Sequence, residues 1–311
     1  MWAMTYLLSK SIPGDPARLF DFVLVQCSTY NTTDRARIAT KAMFDMGRFD
    51  VPVAVGRYTG EDRMPQLPAA DGWSLADFVA AGGTVYYGED RLAQLLAAAT
   101  PAVPLFVVEI APATSLGDVV RATPALAASA IVSAMSGSVY HGYGNSSYPQ
   151  REYNVEVDIP AAQAMYAASW LSPLLMSPLD TSGLLHCVKP EFADLIAANN
   201  SAHVYAQVLL KNYQIWCRCT PTADSASDTL YDAQAAVATG AYAAQWAPHG
   251  TTMPEVPGLT LAALPISVNA SGFTVIDPAA KPVWAAVGFP DGLVKDTHLI
   301  CGELIGAIIA A

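Results

Sequence analysis

Short runs of β-branched and aliphatic residues alternate along this chain with alanine-rich segments of helical periodicity. The apolar runs lie at 22–29, 51–56, 104–111, 130–137, 171–178 and 259–268. Helical patterns lie at 33–47, 74–81, 90–98, 160–168 and 190–198. Such alternation is typical of parallel strands joined by right-handed crossover helices. The pattern therefore predicts an α/β fold with an open, mainly parallel sheet flanked by helices.

The chain shows no internal repeat, low-complexity tract or convincing linker, so residues 1–311 are predicted to form a single domain. From Thr260 onward the pattern predicts strands and turns that extend the sheet, followed by a final helix around Gly302 to Ile309. Ligands of such folds bind outside the carboxyl ends of the strands. The candidate loops are therefore those after residues 28, 56, 110 and 137.

Composition narrows the class of partner. Apolar residues make up 53% of the chain and charged residues 14%, which favours a sheet covered on both faces. The net charge is −11 and no basic run occurs, which argues against a nucleic-acid polymer as partner. No window approaches the roughly 20 apolar residues of a spanning helix, and the first residues make a poor signal peptide. We therefore expect no membrane association and a cytoplasmic location.

The five cysteines are scattered and odd in number: Cys27, Cys187, Cys217, Cys219 and Cys301. This usage favours a reduced compartment over a disulfide framework. The spacing in Cys217-Arg218-Cys219 is too close for a zinc knuckle, so we interpret these residues as ordinary packing, with a metal role second.

Polar residues cluster after the apolar run that ends near Gly137, in "SGSVYHGYGNSSYPQREYNVEVDIPAAQ". A long glycine-rich loop at the end of a strand can form the wall of a small-ligand site. The alternative is a surface loop with a polar edge strand, which composition alone favours. Within this stretch Asp158 is predicted to cap the helix that follows, and Glu156 is consistent with a solvated face.

A second polar position is Asp232, at the start of the alanine-rich helix in "SDTLYDAQAAVATGAY". Its carboxylate is either a charge that suits a helix start or a ligand for a cation, and the residues leave both open. The histidines lack HxxxH or HExxH spacing, which argues against zinc. GxSxG, P-loop and complete GxGxxG motifs are absent, which weakens serine-hydrolase and nucleotide-phosphate hypotheses.

Four stretches together resemble the inosine-uridine-preferring nucleoside hydrolase family. They are "FVLVQCSTYNTTDRARIATKAMFDMGRFDVPVAVG" (22–56), "PLFVVEIAPATSLGDVVRATPAL" (104–126), "GN" at 144–145 with "REYNVEVDIPAA", and "LYDAQAAV" (230–237). The third is similar to the family's "AEFNIYADPEAA" and the fourth to its "HDPLAVAY". The resemblance implies a Rossmann-like nucleoside hydrolase fold and hydrolysis of nucleosides to base and ribose, as in purine and pyrimidine salvage.

The resemblance also implies a site. In the family a calcium ion holds a water and the ribose hydroxyls, and an aspartate takes the proton of that water. Asn145, Glu152 and Asn154 fall on ribose-binding positions, with Tyr153 as their aromatic neighbour. Asp232 falls on a calcium carboxylate and Ile110 on a position whose backbone carbonyl coordinates the ion.

Two departures from the family pattern affect the chemistry. The histidine beside the calcium aspartate is Tyr231 here, and this phenol is the candidate leaving-group acid, although phenols are weak acids. The DxDxxxDD signature is absent, and "MWAMTYLLSKS" resembles the helix that follows it, so the first strand and the general base are expected to be missing. Calcium, which takes about six to eight oxygens, is therefore expected to bind weakly or not at all.

Two explanations of the missing signature stay open: a truncated sequence, or a domain that has lost catalysis. The retained site residues favour truncation. The expected function is hydrolysis of small-molecule nucleosides, and the alternative is a nucleoside- or ribose-binding protein without activity. Family members commonly form homodimers or homotetramers. No motif in the sequence indicates which base is preferred. The candidates for base contacts are Trp73, His141, Trp246 and His249, and the simpler alternative is that these residues have core or surface roles.

Overall fold

A computed structural model describes residues 1–199, 202–246 and 252–311. The helices in these residues are α1 (Trp2–Ser9), α2 (Thr32–Asp45), α3 (Leu75–Ala80), α4 (Asp90–Ala98), α5 (Thr114–Ala122), α6 (Tyr153–Val157), α7 (Ile159–Ala167), α8 (Leu179–Ser182), α9 (Glu191–Ala198), α10 (Val204–Cys217), α11 (Tyr231–Gln245) and α12 (Leu293–Ala310). The strands are β1 (Val25–Cys27), β2 (Val53–Val55), β3 (Val85–Tyr87), β4 (Leu105–Glu109), β5 (Ala130–Met135), β6 (Leu175–Ser177), β7 (Thr260–Val268), β8 (Thr274–Ile276) and β9 (Pro282–Gly288).

The described residues group into two compact units. Unit 1 consists of Met1–Arg91, Cys187–Asp228 and Cys301–Ala311, and unit 2 of Leu92–His186 and Thr229–Ile300. Each unit has its own sheet, and each sheet is mainly parallel and accompanied by helices. The predicted α/β class is therefore confirmed, while the single-domain organisation stays a prediction.

Unit 1 contains a three-stranded parallel sheet in the order β1, β2, β3. The two apolar runs at 22–29 and 51–56 contain β1 and β2, as the pattern predicts. Helix α2 begins where Asn31 accepts a hydrogen bond from the backbone N–H of Asp34, a common way to satisfy a helix N-terminus. The strand β3 was not predicted, because it lies between glycines at 82–83 and 88 and has no longer apolar run around it.

The cysteines of unit 1 depart from the prediction. Cys187 forms a disulfide with Cys301, and Cys217 forms one with Cys219, while Cys27 is a buried free thiol. The prediction of unpaired cysteines, with ordinary packing at residues 217–219, is therefore wrong. Residues 114 positions apart in sequence give no pairing signal, because only the fold brings their Cα atoms to 5.5 Å. Disulfides count against a reducing compartment, and the cytoplasmic location stays a prediction.

Unit 2 contains a six-stranded sheet in the order β4, β5, β6, β9, β7, β8. The first four strands are parallel, whereas β7 runs antiparallel to both β8 and β9. Every residue of β5 is buried, which matches a central strand covered on both faces. The segment after Thr260 extends the sheet as predicted, and the final helix is longer than predicted because it already begins at Leu293.

Small residues bring the helices of unit 2 close to their neighbours. A Cβ on Gly117 of α5 would lie 2.6 Å from the Cα of Ala161 in α7, so only glycine fits this crossing. Ala233, Ala235 and Ala236 of α11 are buried, and the carbonyl of Ala235 accepts a hydrogen bond from the Ser133 hydroxyl of β5 at 3.1 Å. The alanine-rich composition therefore lets α11 lie directly on the sheet. Among the described residues, no helix combines the length and apolarity that a bilayer span requires.

Candidate functional site

The candidate site lies in unit 2, where the parallel strands β4, β5 and β6 end at the same edge of the sheet. Ile110 directly follows β4, and the long loop that contains Gly137 follows β5. Ile110 and the Tyr231 side chain pack against one buried cluster formed by Met135, Leu179 and Ala235. The fold therefore brings the segment after β4 and the start of α11 together, as the rule for ligand sites in parallel sheets predicts.

Glu152 is buried and caps α6. Its Oε1 accepts the backbone N–H of Asn154 at 2.9 Å, and its Oε2 accepts those of Val155 at 3.3 Å and Gly137 at 3.1 Å. Burial raises the pKa of this carboxyl to about 7; the backbone hydrogen bonds oppose the rise, and the negative charge of Asp232 adds to it. One side chain thus fixes the start of α6 to the end of β5.

Asn154 and Tyr153 occupy the first turn of α6. The side-chain amide of Asn154 is buried and donates to the carbonyl of Met135 at 3.0 Å, which uses only the donor half of the group. The Tyr153 ring is exposed, and its backbone N–H donates to the hydroxyl of Tyr143 at 2.9 Å. Burial raises the pKa of Tyr143 to about 12, and the charge of Glu152 contributes to the rise.

Tyr231 and Asp232 form the first turn of α11. The ring of Tyr231 meets that of Tyr143 edge to face, with centroids 6.1 Å apart. Burial of the Asp232 carboxyl raises its pKa to about 6, although the residue as a whole keeps some exposed surface. Because the charge of Asp232 also raises the pKa of Glu152, the two carboxyl groups share one electrostatic environment.

Asn145 stands apart from these residues. It ends an exposed 3-10 turn that begins at Tyr143, with a left-handed backbone conformation at φ 58°. Its side chain makes no hydrogen bond to the other candidate residues among those that the structure describes. Of the predicted site residues, Ile110, Glu152, Tyr153, Asn154, Tyr231 and Asp232 are thus connected through contacts or charge, and Asn145 is not.

The polar stretch itself is a helix start. Residues 153–157 form α6, so the alternative of a polar edge strand is wrong. Asp158 caps α7 by accepting the backbone N–H of Ala161 at 3.1 Å, which confirms its predicted role. Glu156 is exposed and pairs with Arg151 at 2.8 Å, as expected of a solvated face. The alternation of polar and apolar residues resembles that of a strand, but two of the polar residues, Glu152 and Asp158, are helix caps.

The candidate base contacts have simpler roles. Trp73 of unit 1 packs on Phe44 and donates to the hydroxyl of Thr40, and Trp246 packs on the rings of Phe106 and Tyr242. His141 is exposed in the loop after β5. His249 lies outside the described residues.

Sequence reasoning missed three residues of this edge. Glu109 ends β4 beside Ile110, and burial raises the pKa of its carboxyl to about 8. Asp180 in α8 follows the apolar run 171–178, so its position at the end of a strand was a usable signal. Thr274 comes from β8, in the part of the chain with the weakest resemblance, and no sequence feature marks it.

The oxygens that the described residues place at this edge do not form a calcium shell. Asp232 and the carbonyl of Ile110 are the predicted ligands, whereas calcium takes about six to eight oxygens. The carboxylate of Glu152 is already bonded to three backbone N–H groups. In the part of the chain that the structure describes, no three residues among His, Cys, Asp and Glu are grouped so as to hold a metal ion. The described donor set therefore does not fit calcium.

The fold and this edge define an α/β protein with a polar site at the carboxyl ends of its parallel strands. A sequence model of the family described as inosine-uridine preferring nucleoside hydrolase matches residues 2–285. The chain therefore belongs to this family. A comparison with curated proteins gave no match.

Solved nucleoside hydrolases share the fold at low sequence identity. A purine-preferring ribonucleoside hydrolase from Gardnerella vaginalis aligns with a TM-score of 0.65 at 16% identity, over 100% of this chain and 96% of its own. An inosine-guanosine nucleoside hydrolase aligns with a TM-score of 0.71 at 14% sequence identity, over 99% of this chain and 94% of its own. An inosine-uridine preferring nucleoside hydrolase from Bacillus anthracis aligns with a TM-score of 0.63 at 13% sequence identity, over 97% of this chain and 95% of its own.

Proposed function

We propose that this protein hydrolyses the N-glycosidic bond of ribonucleosides to the free base and ribose. Family membership supports the reaction class. The observation that carries the proposal is the convergence of Glu152, Asn154, Tyr231 and Asp232 at the strand edge where ligands of this fold class bind.

Glu152 and Asn154 are suited to hold ribose hydroxyls. A carboxylate has about four acceptor positions, and three backbone N–H groups occupy three of those of Glu152. One remains for a hydroxyl donor. The amide oxygen of Asn154 is not used in its bond to Met135 and can accept another. Tyr153 presents an exposed ring beside this pair and Asn145 lies on the loop ahead of it, so both are proposed to contact the substrate.

Negative charge near the sugar suits the bond cleavage. N-glycosidic hydrolysis passes through an oxocarbenium-like transition state, which nearby carboxylates stabilise. Asp232 and Glu152, with pKa values of about 6 and about 7, become negative as the pH rises through neutrality. The rate should therefore increase over this range.

Tyr231 is the candidate acid for the departing base. Its ring is held by the buried cluster on one side and by the edge contact with Tyr143 on another. This packing fixes the direction of the phenol, which a proton donor requires. Because a phenol is a weak acid, its contribution should be largest for a base that leaves poorly without protonation.

No step of this proposal is routed through calcium, since the described donors do not fit the ion. Asp232 and Ile110 stay the proposed ligands of any weakly bound calcium. The test is release of base from inosine and uridine by purified protein, in added calcium and in excess chelator. Activity in chelator would show that the metal is dispensable. Activity only with calcium would show that the ion has more ligands than Asp232 and the carbonyl of Ile110.

Asp232→Asn should lower base release strongly. The matched control is Asp296→Asn, which removes another first-turn helix carboxylate of unit 2. Equal losses in both variants would contradict a role for Asp232 in the reaction.

The second candidate is nucleoside or ribose binding without hydrolysis. Within the residues that the structure describes, no group of three metal-ligating side chains surrounds Asp232, which favours this candidate because sugar contacts would remain without a metal-held water. Calorimetric titration with inosine and with ribose separates the two candidates: saturable binding without release of base supports the binding protein. Homodimer or homotetramer formation, a role in salvage and the cytoplasmic location stay predictions.

A further inference from the structure

Seven consecutive backbone N–H groups in the loop after β5 donate to side chains. They are those of Gly137 to Glu152, Ser138 to Thr274, Val139, Tyr140 and His141 to Asp180, Gly142 to Ser146, and Tyr143 to Gln150. About two-thirds of protein hydrogen bonds join one backbone group to another, so a run of seven N–H groups that are all held by side chains is unusual. Here the path of the loop is instead set by a few side chains.

Asp180 holds the centre of this run. It is 4% exposed, and its Oδ1 accepts the N–H of Tyr140 at 2.7 Å and of His141 at 3.1 Å, while its Oδ2 accepts that of Val139 at 2.8 Å. A buried carboxylate with three converging donors is strongly oriented. Only a carboxylate side chain, Asp or Glu, offers two oxygens without a donor of its own.

The helix that carries Asp180 is itself fixed to the sheet. The hydroxyl of Thr181 donates to the carbonyl of Ala286 in β9 at 3.1 Å. The backbone N–H of Leu179 donates to the carbonyl of Gly137, at the start of the loop, at 2.9 Å. Asp180 therefore connects a helix that is hydrogen-bonded to the sheet of unit 2 with the loop.

The loop leads directly into the candidate site. Tyr143 lies two residues beyond His141. Its hydroxyl accepts the backbone N–H of Tyr153, and its ring contacts that of Tyr231. Asn145 follows in the same turn. A shift of residues 139–141 would therefore move the segment that bears both.

We propose that Asp180 is a positioning residue for substrate binding: by holding the N–H groups of residues 139–141 it places Tyr143 and Asn145 against the nucleoside. This inference rests on the proposed function. An amide at position 180 would turn an N–H toward the N–H of Val139 or of its neighbours, so that at least one bond becomes a repulsive contact.

The test compares three variants with the wild type. Asp180→Asn removes one acceptor, Asp180→Glu keeps the carboxylate with a longer reach, and Asp296→Asn is the control. Asp296 lies in unit 2, in the first turn of α12 and outside the loop, and is 1% exposed. Its Oδ2 accepts the backbone N–H of Asp291 at 2.8 Å. Each protein is characterised by three measurements. They are amide hydrogen exchange of peptides covering 137–149, the KM and kcat for inosine, and the Tm.

In Asp180→Asn we expect exchange in residues 139–141 to accelerate by about tenfold or more, as loss of a buried hydrogen bond implies. KM should rise by about tenfold, with kcat changed much less, and Asp180→Glu should be intermediate. Asp296→Asn should lower Tm without changing KM. If Asp180→Asn does not fold, the same quantities are compared between Asp180→Glu and Asp296→Asn.

Unchanged loop exchange, or the same KM effect in Asp180→Asn and Asp296→Asn, would overturn the proposal. If the wild type releases no base, the proposed hydrolysis fails, and the loop is then judged by protection from exchange on adding inosine. Protection that the Asp180 variants lose supports the positioning role, and its absence in the wild type refutes it.

Discussion

Replacing Glu152 with glutamine should change how the stability of the protein depends on pH. The folded-state pKa of about 7, against an ordinary value of 4.5, means that the folded protein binds this proton more tightly than the unfolded chain. The wild type is then most stable, as far as this group is concerned, below pH 4.5. It loses that contribution as the pH rises to about 7, and the loss is about 3 kcal/mol.

Glutamine cannot ionise, so Glu152→Gln lacks this loss but has a fixed cost of its own. Both oxygens of the carboxyl group keep acceptor capacity even when it is protonated, whereas the amide of glutamine has one acceptor oxygen. At least one backbone N–H among those of Gly137, Asn154 and Val155 therefore loses its acceptor. That defect costs about 1 to 3 kcal/mol. The variant should therefore be less stable than the wild type near pH 5, and the difference should shrink or reverse by pH 8.

The measurement is chemical unfolding of both proteins at several pH values from 4.5 to 8. The contribution of a buried carboxyl that does not interact with Glu152, such as Glu109, occurs in both proteins and cancels in the difference. Glu156→Gln, which removes an exposed carboxylate from the same helix, controls for the loss of one charge. A difference between wild type and Glu152→Gln that stays constant within about 1 kcal/mol across this range would refute the raised pKa.

Three further perturbations test other parts of the argument. Gly137→Ala should destabilise the protein by roughly 2 to 4 kcal/mol in chemical unfolding, because φ is +78° and the new Cβ would lie 2.6 Å from the Met176 methyl. Tyr231→Phe should lower kcat for inosine by about a hundredfold with little change in KM, and an unchanged kcat would exclude the phenol as the acid. Graded thiol treatment with alkylation and mass spectrometry should open Cys217–Cys219 before the buried disulfide, because Cys219 is exposed; the reverse order would contradict this.

The strands were predictable because each is a compact apolar run between polar or helical segments. All six runs contain a strand, and the runs overestimate their length by including flanking turns. Helix α10 escaped prediction although it has 14 residues. Its polar stripe of Gln207, Lys211 and Gln214 is narrow. Val204 is exposed and Asn212 is buried, and both weaken the amphipathic periodicity.

Contacts at this edge of the sheet were predictable where a residue acts close to its own position in sequence. Asp158 caps the helix that follows it, and Asp232 lies in a first turn, so both follow local rules. Asp180 reaches a loop 40 residues earlier, and Thr274 reaches Ser138 across 136 residues. Such partners depend on strand order, which a single sequence does not encode locally.

Two successive helix caps show how this edge differs from ordinary capping. Asp158 uses the short carboxylate that helix N-termini favour. At 152 a glutamate takes the same role, although Ser, Thr, Asp and Asn are the preferred caps. The longer side chain reaches the N–H of Gly137 as well as the start of α6, and an aspartate would lack one methylene of that reach. Because its burial raises the pKa and is unfavourable to the ionised form, a glutamate here is better explained by the site than by stability.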